Sequence, residues 1–166
     1  MSTAPASHPI DAATYSPHNR RRLSRPGLLA FTAIADLWDL SEKQRLLVLG
    51  LPSRSTYHGW LRAAHGGADI TLPLDILLRI SGVLGIHKAL QILFQTRDEG
   101  IAWLRGPHGA PVFAGRSPLA LLIDGTQDSI LTVRRFLDAA RGGAYMEPNA
   151  ADLDFTPYSD QDLVFV

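Results

Sequence analysis

The groups that could do chemistry in this 166-residue chain are six histidines, a scatter of hydroxyls and 16 acidic side chains; there is no cysteine. Without Cys there is no disulfide, no thiolate nucleophile and no Cys-ligated zinc or iron–sulfur site. His8, His18, His58, His65, His87 and His108 form no i, i+4 pair of the kind that holds zinc on one helix face, so they read as surface or partly buried polar groups. No G-x-S-x-G, G-x-x-x-x-G-K-[ST] or G-x-G-x-x-G stretch occurs. Ser117 could be imagined as a nucleophile, but Ser117-Pro118 is also an N-cap followed by an N1 proline, which already explains it. Asp124 and Asp128 are four apart, and a turn plus a first helical turn accounts for both. No residue is assigned a catalytic role, no metal or cofactor is expected, and the chain reads as a binder, not an enzyme.

The stretch Ser53 to Trp60 is more informative. Tyr57, Trp60, Leu61 and Ala64 recur at i, i+3, i+4 and i+7, which makes one apolar helical stripe. Arg54, Ser55, Thr56, His58 and Arg62 fall largely off it. The segment before it opens at Ser41, where Ser41 and Gln44 fit a capping box, and stops at Gly50-Leu51-Pro52. A short helix, a Gly-containing turn and a second helix make a helix-turn-helix pattern. In that motif the second helix enters the major groove and its N-terminal side chains meet base edges. Arg54 could grip guanine or phosphate, and Ser55, Thr56 and His58 offer shorter hydrogen bonds. The alternative is that the hydroxyls only cap the helix while Arg54 and Arg62 are solvated.

The remaining pattern is helical too. Residues 1–27 are polar and read as a basic, disordered arm; its Arg20, Arg21, Arg22 and Arg25 are either a phosphate-gripping arm or a solubility device. Residues 28–69 hold the helix-turn-helix, led by a helix whose face is Leu28, Phe31, Ile34, Leu37 and Trp38. In residues 70–143 the spacing predicts an apolar helix over 71–85, another over 86–94, a short one over 96–104, one from Ser117-Pro118 to Leu122, and a last one from Thr126 to Arg141. Residues 144–166 form an acidic tail. No stretch alternates as a strand does, so the fold class is all-α. No apolar run approaches the roughly 18–20 residues of a membrane span, and the polar start has no signal-peptide core, so a soluble cytoplasmic location is expected.

Gly85-Ile86-His87-Lys88-Ala89-Leu90-Gln91-Ile92-Leu93-Phe94, Ala102-Trp103-Leu104-Arg105, Phe113-Ala114-Gly115-Arg116-Ser117-Pro118-Leu119 and Val133-Arg134-Arg135-Phe136-Leu137-Asp138-Ala139-Ala140-Arg141-Gly142-Gly143 occur in this order. The set resembles the Xre/MbcA/ParS toxin-binding domain over about residues 70–143, with an Xre-like helix-turn-helix over 28–66. The resemblance implies an antitoxin of a type II toxin–antitoxin pair. Its implied partner is a RES-domain toxin that consumes NAD or uses it for ADP-ribosylation. It further implies that the antitoxin's C-terminal region obstructs the NAD pocket, and that the complex represses its own operon through operator DNA. The first Xre helices are degenerate here, and the acidic tail matches no family motif. A stand-alone helix-turn-helix regulator, or a protein-binding module without DNA contact, remains the alternative.

Charge distribution accompanies that resemblance. The whole chain is neutral, yet residues 1–65 carry +4, residues 66–143 carry +1 and residues 144–166 carry −5. Fourteen of the 16 basic residues are Arg, the side chain suited to bidentate contact with phosphate or carboxylate. A pocket that binds a pyrophosphate should be basic, so an acidic, aromatic tail suits it. Tyr145, Asp152, Asp154, Phe155 and Tyr158 are therefore candidate toxin contacts, against the reading of a solubilising tail. Arg116, Arg134 and Arg135 are further candidates; Arg116 could equally pair with Asp124 or cap a helix. Trp103, Phe113 and Leu119 read as core. Operator recognition normally uses a dimer, so a homodimer is expected.

Overall fold

A computed structural model describes residues 15–142. Among these residues the fold is all-helical, with seven helices and no strand: α1 (Pro17–Leu37), α2 (Glu42–Val48), α3 (Arg54–His65), α4 (Leu74–Leu93), α5 (Arg97–Arg105), α6 (Pro118–Leu122) and α7 (Gln127–Arg141). Six of them start on a hydroxyl cap. Ser16, Ser41, Ser53, Thr96, Ser117 and Thr126 each accept a hydrogen bond from the backbone N–H three residues on. At Ser41 and Thr96 the box closes reciprocally through Gln44 and Glu99.

The first helix departs from the sequence expectation. Residues 17–27 are not a disordered arm but the first half of α1. Pro17 occupies the first turn, where a missing N–H costs nothing. Ser24 then anchors the helix. Its buried hydroxyl donates to the Arg20 carbonyl (2.6 Å) and accepts from the Leu72 N–H (2.8 Å). Arg25 Nε donates to the Ala64 carbonyl (2.9 Å), and Arg21 pairs with Asp69 (2.7 Å). Three tertiary bonds, to Leu72, Ala64 and Asp69, therefore order a segment whose composition is that of a tail.

The second departure is α4, one continuous helix where two were expected. Gly85 does not break it, because the glycines there serve close approach. A Cβ on Gly82 would lie 2.5 Å from Ile130 Cγ2, and one on Gly85 would lie 2.7 Å from Arg134 Cζ. Both neighbours belong to α7, so α4 and α7 pack backbone-close. Joined in this way, α4 reaches the length and hydropathy of a membrane span, contrary to the expectation that no such run exists. Its apolar surface is packed against α1 on one side and α7 on the other.

The buried residues form one continuous cluster drawn from every helix. Trp38, Tyr57, Phe31 and Phe113 are its largest members. Each such side chain contributes on the order of 1.5–3 kcal/mol by burial. Arg79 links the two ends of the molecule through this cluster. Its Nη1 donates to the carbonyls of Val48 (3.3 Å) at the end of α2 and Gly125 (2.9 Å) before α7. Gly50, at φ +82°, leaves the space that the guanidinium fills; a Cβ there would lie 2.8 Å from it.

Candidate functional site

The helix pair α2–α3 forms as its pattern predicts. The connection runs Leu49-Gly50-Leu51-Pro52-Ser53, with Gly50 and Leu51 both at positive φ. Tyr57 and Ala64 are buried, and Trp60 and Leu61 pack partly against the core. Burial pushes the Tyr57 phenol upward, an effect opposed by Arg45 alongside it. Arg54, Ser55, Thr56, His58 and Arg62 are all exposed, so the apolar stripe turns the five nominated side chains outward together.

Glu42, a favourable charge in the first turn of α2, also holds two of them. Its Oε1 lies 2.6 Å from Arg54 Nε and its Oε2 3.1 Å from His58 Nε2. Arg54 and His58, in the first turns of α3, are thus gathered on one carboxylate. Ser53 Oγ caps Thr56 N–H (3.1 Å), donates to Thr56 Oγ1 (2.8 Å) and lies 3.1 Å from Ser55 Oγ. Ser55 and Thr56 therefore serve the cap while remaining on the surface. The signal for Glu42's second role was its position 12 and 16 residues before Arg54 and His58, across a turn of known length.

Arg20, Arg21 and Arg22 are not brought to that end. They lie on α1, and Arg21 is tied to Asp69 beyond the C-terminal end of α3, where Arg25 caps the last turn. The 12 residues of α3 put about 18 Å between the two basic groups. Arg62 is exposed near the C-terminal end of α3 and lies between them in sequence register.

The other half presents a loop and a turn. Residues 106–117 cross over an aromatic cluster. Trp103 stacks on Phe136 at 6.0 Å between centroids, and Phe113 meets both rings edge-on. His108 joins through Nε2, 2.7 Å from the Trp103 carbonyl. Phe113 and Leu119 are core, and Trp103 is partly buried against it. This leaves Pro111, Val112 and Arg116 exposed on the outside of the loop.

Arg116 donates from Nη2 to the Ala120 carbonyl (3.2 Å), which matches the helix-capping alternative. Arg134 lies over Gly85, with Nη1 3.4 Å from the Ser81 carbonyl and Nε 3.8 Å from Asp138. Arg135 is exposed, with Asp128 at 3.9 Å. Asp124 organises the turn before α7. Burial pushes its carboxyl up, but hydrogen bonds from Ser129 and Thr126 and the nearby Arg116 charge outweigh this and hold it below its ordinary value. Tyr145, Asp152, Asp154, Phe155 and Tyr158 lie outside the described residues.

The profile of the antitoxin Xre/MbcA/ParS C-terminal toxin-binding domain matches residues 89–143. The chain belongs to the Xre/MbcA/ParS antitoxin family. In this antitoxin the match begins inside α4 and runs through α5, α6 and α7, so it contains the aromatic cluster, the 106–117 loop, Arg116, Arg134 and Arg135. Its toxin-binding domain implies a toxin as partner. A protein of Sinorhizobium fredii (strain NBRC 101917 / NGR234), described as "Uncharacterized protein y4oB", is 43% identical over 116 residues, which is 70% of this chain and 84% of that relative.

Proposed function

We propose that this antitoxin neutralises a RES-domain toxin that consumes NAD or transfers ADP-ribose, and that it represses its own operon through α3. The observation that carries the toxin half is the family match over 89–143. The acidic segment 144–166 follows directly on that domain, and its carboxylates and rings suit a basic, pyrophosphate-binding pocket. Docking of the folded domain would raise the local concentration of the segment at the pocket and offset the cost of ordering it. In this reading the chain itself performs no chemistry and acts in the cytoplasm as a homodimer. Co-expression with a RES toxin tests it by growth rescue and co-purification. A chain ending at Ala144 should still co-purify but should lose most of its inhibition of NAD hydrolysis. Full inhibition by that truncation removes the pocket-blocking role of the tail.

The DNA half rests on the outward-facing Arg54, His58 and Arg62 of α3. The Glu42 clamp favours a second reading, in which Arg54 and His58 are held on the protein and the helix pair no longer meets DNA. Operator binding over a salt series separates the two. Glu42→Gln should tighten binding and Arg54→Ala should weaken it, with a shallower salt slope, if α3 contacts phosphate and bases. Unchanged affinity and slope in both variants remove α3 from the DNA contact, and no operator binding by the wild type leaves the protein-binding module.

A further inference from the structure

A cleft lies where the end of α1, the second half of α4 and the start of α5 meet. The chain builds it by stopping α4 at Leu93. Phe94 is extended, Thr96 caps the next helix, and α5 turns back along α4, where the buried Gly100 rests on Leu90 and Phe94. Arg105, at the far end of α5, donates from Nη2 to the carbonyls of Trp38 and Asp39 and so holds the end of α1 as the third wall. The cleft has a volume of about 290 Å³. That is the low end of small-molecule sites and suits a single ring with a short chain.

Its walls are apolar: Trp38, Leu90, Phe94 and Ile101. Two polar groups break them. His87 lies against Trp38, with 6.1 Å between ring centroids, and its buried Nδ1 has no hydrogen-bond partner among the described residues. Buried polar atoms are paired in the great majority of cases, so an orphan in the wall of a cleft calls for a partner from outside the fold. Arg97 is the one charged side chain of the lining; it is exposed and pairs with no carboxylate among the described residues. The two acids of the same turn do not cancel it. Glu99 is engaged by the N–H groups of Gln95 (3.0 Å) and Thr96 (3.1 Å), and Asp98 is not part of the lining. The His87 imidazole registers the result. It is pushed below its ordinary value first by burial and then by the Arg97 charge, with no carboxylate among the causes. A neutral imidazole and an uncompensated guanidinium therefore share one apolar cavity.

The geometry points to a binding site for a small carboxylate with an apolar body, the ring or branched chain held among Trp38, Leu90 and Phe94 and the carboxylate on the Arg97 guanidinium and the His87 Nδ1–H. A guanidinium takes a carboxylate through two parallel N–H bonds, and a neutral imidazole has one N–H to give. The apolar walls add the burial of the ring itself. The site joins the end of α1 to the α5 helix of the toxin-binding match, and neither toxin nor operator is needed to test it.

Isothermal titration of the full chain with phenylacetate tests the assignment, with phenylacetamide as the neutral counterpart of the same shape. The acid should bind with a Kd on the order of 1 mM or tighter, within reach of so small a ligand. The amide should bind about tenfold more weakly, the loss of one charge-assisted pair. Arg97→Ala, at an exposed position, should weaken the acid by about tenfold, leave the amide unchanged and keep the circular dichroism spectrum of the wild type. His87 gives a second readout that locates the ligand. Followed by NMR, its imidazole should titrate at a higher pH with phenylacetate than without, because a carboxylate on Nδ1 favours the protonated ring, and phenylacetamide should not raise it. No heat and no shift of the His87 resonances at about 10 mM phenylacetate, about ten times the weakest Kd expected, overturns the proposal. Equal affinity for acid and amide also overturns it and leaves an apolar cavity without a carboxylate site. So does acid binding that Arg97→Ala leaves unchanged, or that leaves the His87 titration where it was, because the acid then sits elsewhere on the chain.

Discussion

Replacing Ser24 by Ala removes one oxygen from a site with no access to water, and its cost can be worked out. The hydroxyl donates to the Arg20 carbonyl and accepts from the Leu72 N–H, and the side chain is completely buried. The Arg20 carbonyl keeps a role within the helix, so its loss is small. The Leu72 N–H relies on Ser24 Oγ, and leaving it unpaired in the interior costs about 1–3 kcal/mol. Alanine is the better helix former by up to about 0.7 kcal/mol, which offsets part of this. The net expectation is a loss of about 1–2 kcal/mol. For a chain of this size each kcal/mol moves the melting temperature by about 2–4 °C or slightly more, so Ser24→Ala should melt roughly 3–8 °C lower. Urea unfolding followed by circular dichroism supplies the free energy, with the m-value as a control on two-state behaviour. Ser24→Thr keeps the oxygen and adds a methyl group, so it reports crowding separately. A Ser24→Ala chain within about 0.3 kcal/mol of wild type, well below the cost of one unpaired buried N–H, refutes the claim that this hydroxyl orders residues 17–27.

Other perturbations have equally definite outcomes. Gly82→Ala puts a methyl 2.5 Å from Ile130 Cγ2 and should destabilise by about 1–3 kcal/mol in urea unfolding, whereas Gly59→Ala, which meets nothing within 4 Å, should not destabilise. Arg79→Met empties two carbonyl bonds and should loosen the Gly125 turn and the end of α2 together; hydrogen exchange should rise in both segments at once. The His87 imidazole is pushed below its ordinary value, first by burial and then by the nearby Arg97 charge. The unfolded chain therefore takes up the proton more readily. The contribution of this group is complete above about pH 6.5 and is lost as the pH falls through the unfolded and then the folded value. Urea midpoints should drop between pH 7 and 5 in the wild type, and His87→Gln should flatten that part of the profile.

Local signals were legible wherever the partner lies within a turn or two. The Ser41–Gln44 box, the Ser117-Pro118 start and the Thr126 cap all stand in the structure, and the Tyr57–Trp60–Leu61–Ala64 stripe faces inward as its spacing requires. What escaped notice depends on residues distant in the chain. The Arg-rich run around Arg20 has the composition of a tail, and the bonds that order it reach Ala64, Asp69 and Leu72. Gly85 resembles a helix end, and only α7 lying against it shows a point of close approach. Among the candidate contacts, exposure of Arg54 and His58 followed from periodicity, whereas their capture by Glu42 required the angle between two helices.

The match to the toxin-binding domain starts at residue 89, yet α4 starts at Leu74, and its flanks serve α1 and α7 alike. A boundary drawn through the middle of one helix is not a place where the chain can be parted. A protease that opens α1 strips the cover from α4, and with it the wall on which α7 rests. The lifetime of the part that restrains the toxin is thereby set by the least durable part of the N-terminal half. Melting should show one transition, and any nick within the helices should release the toxin at once and completely.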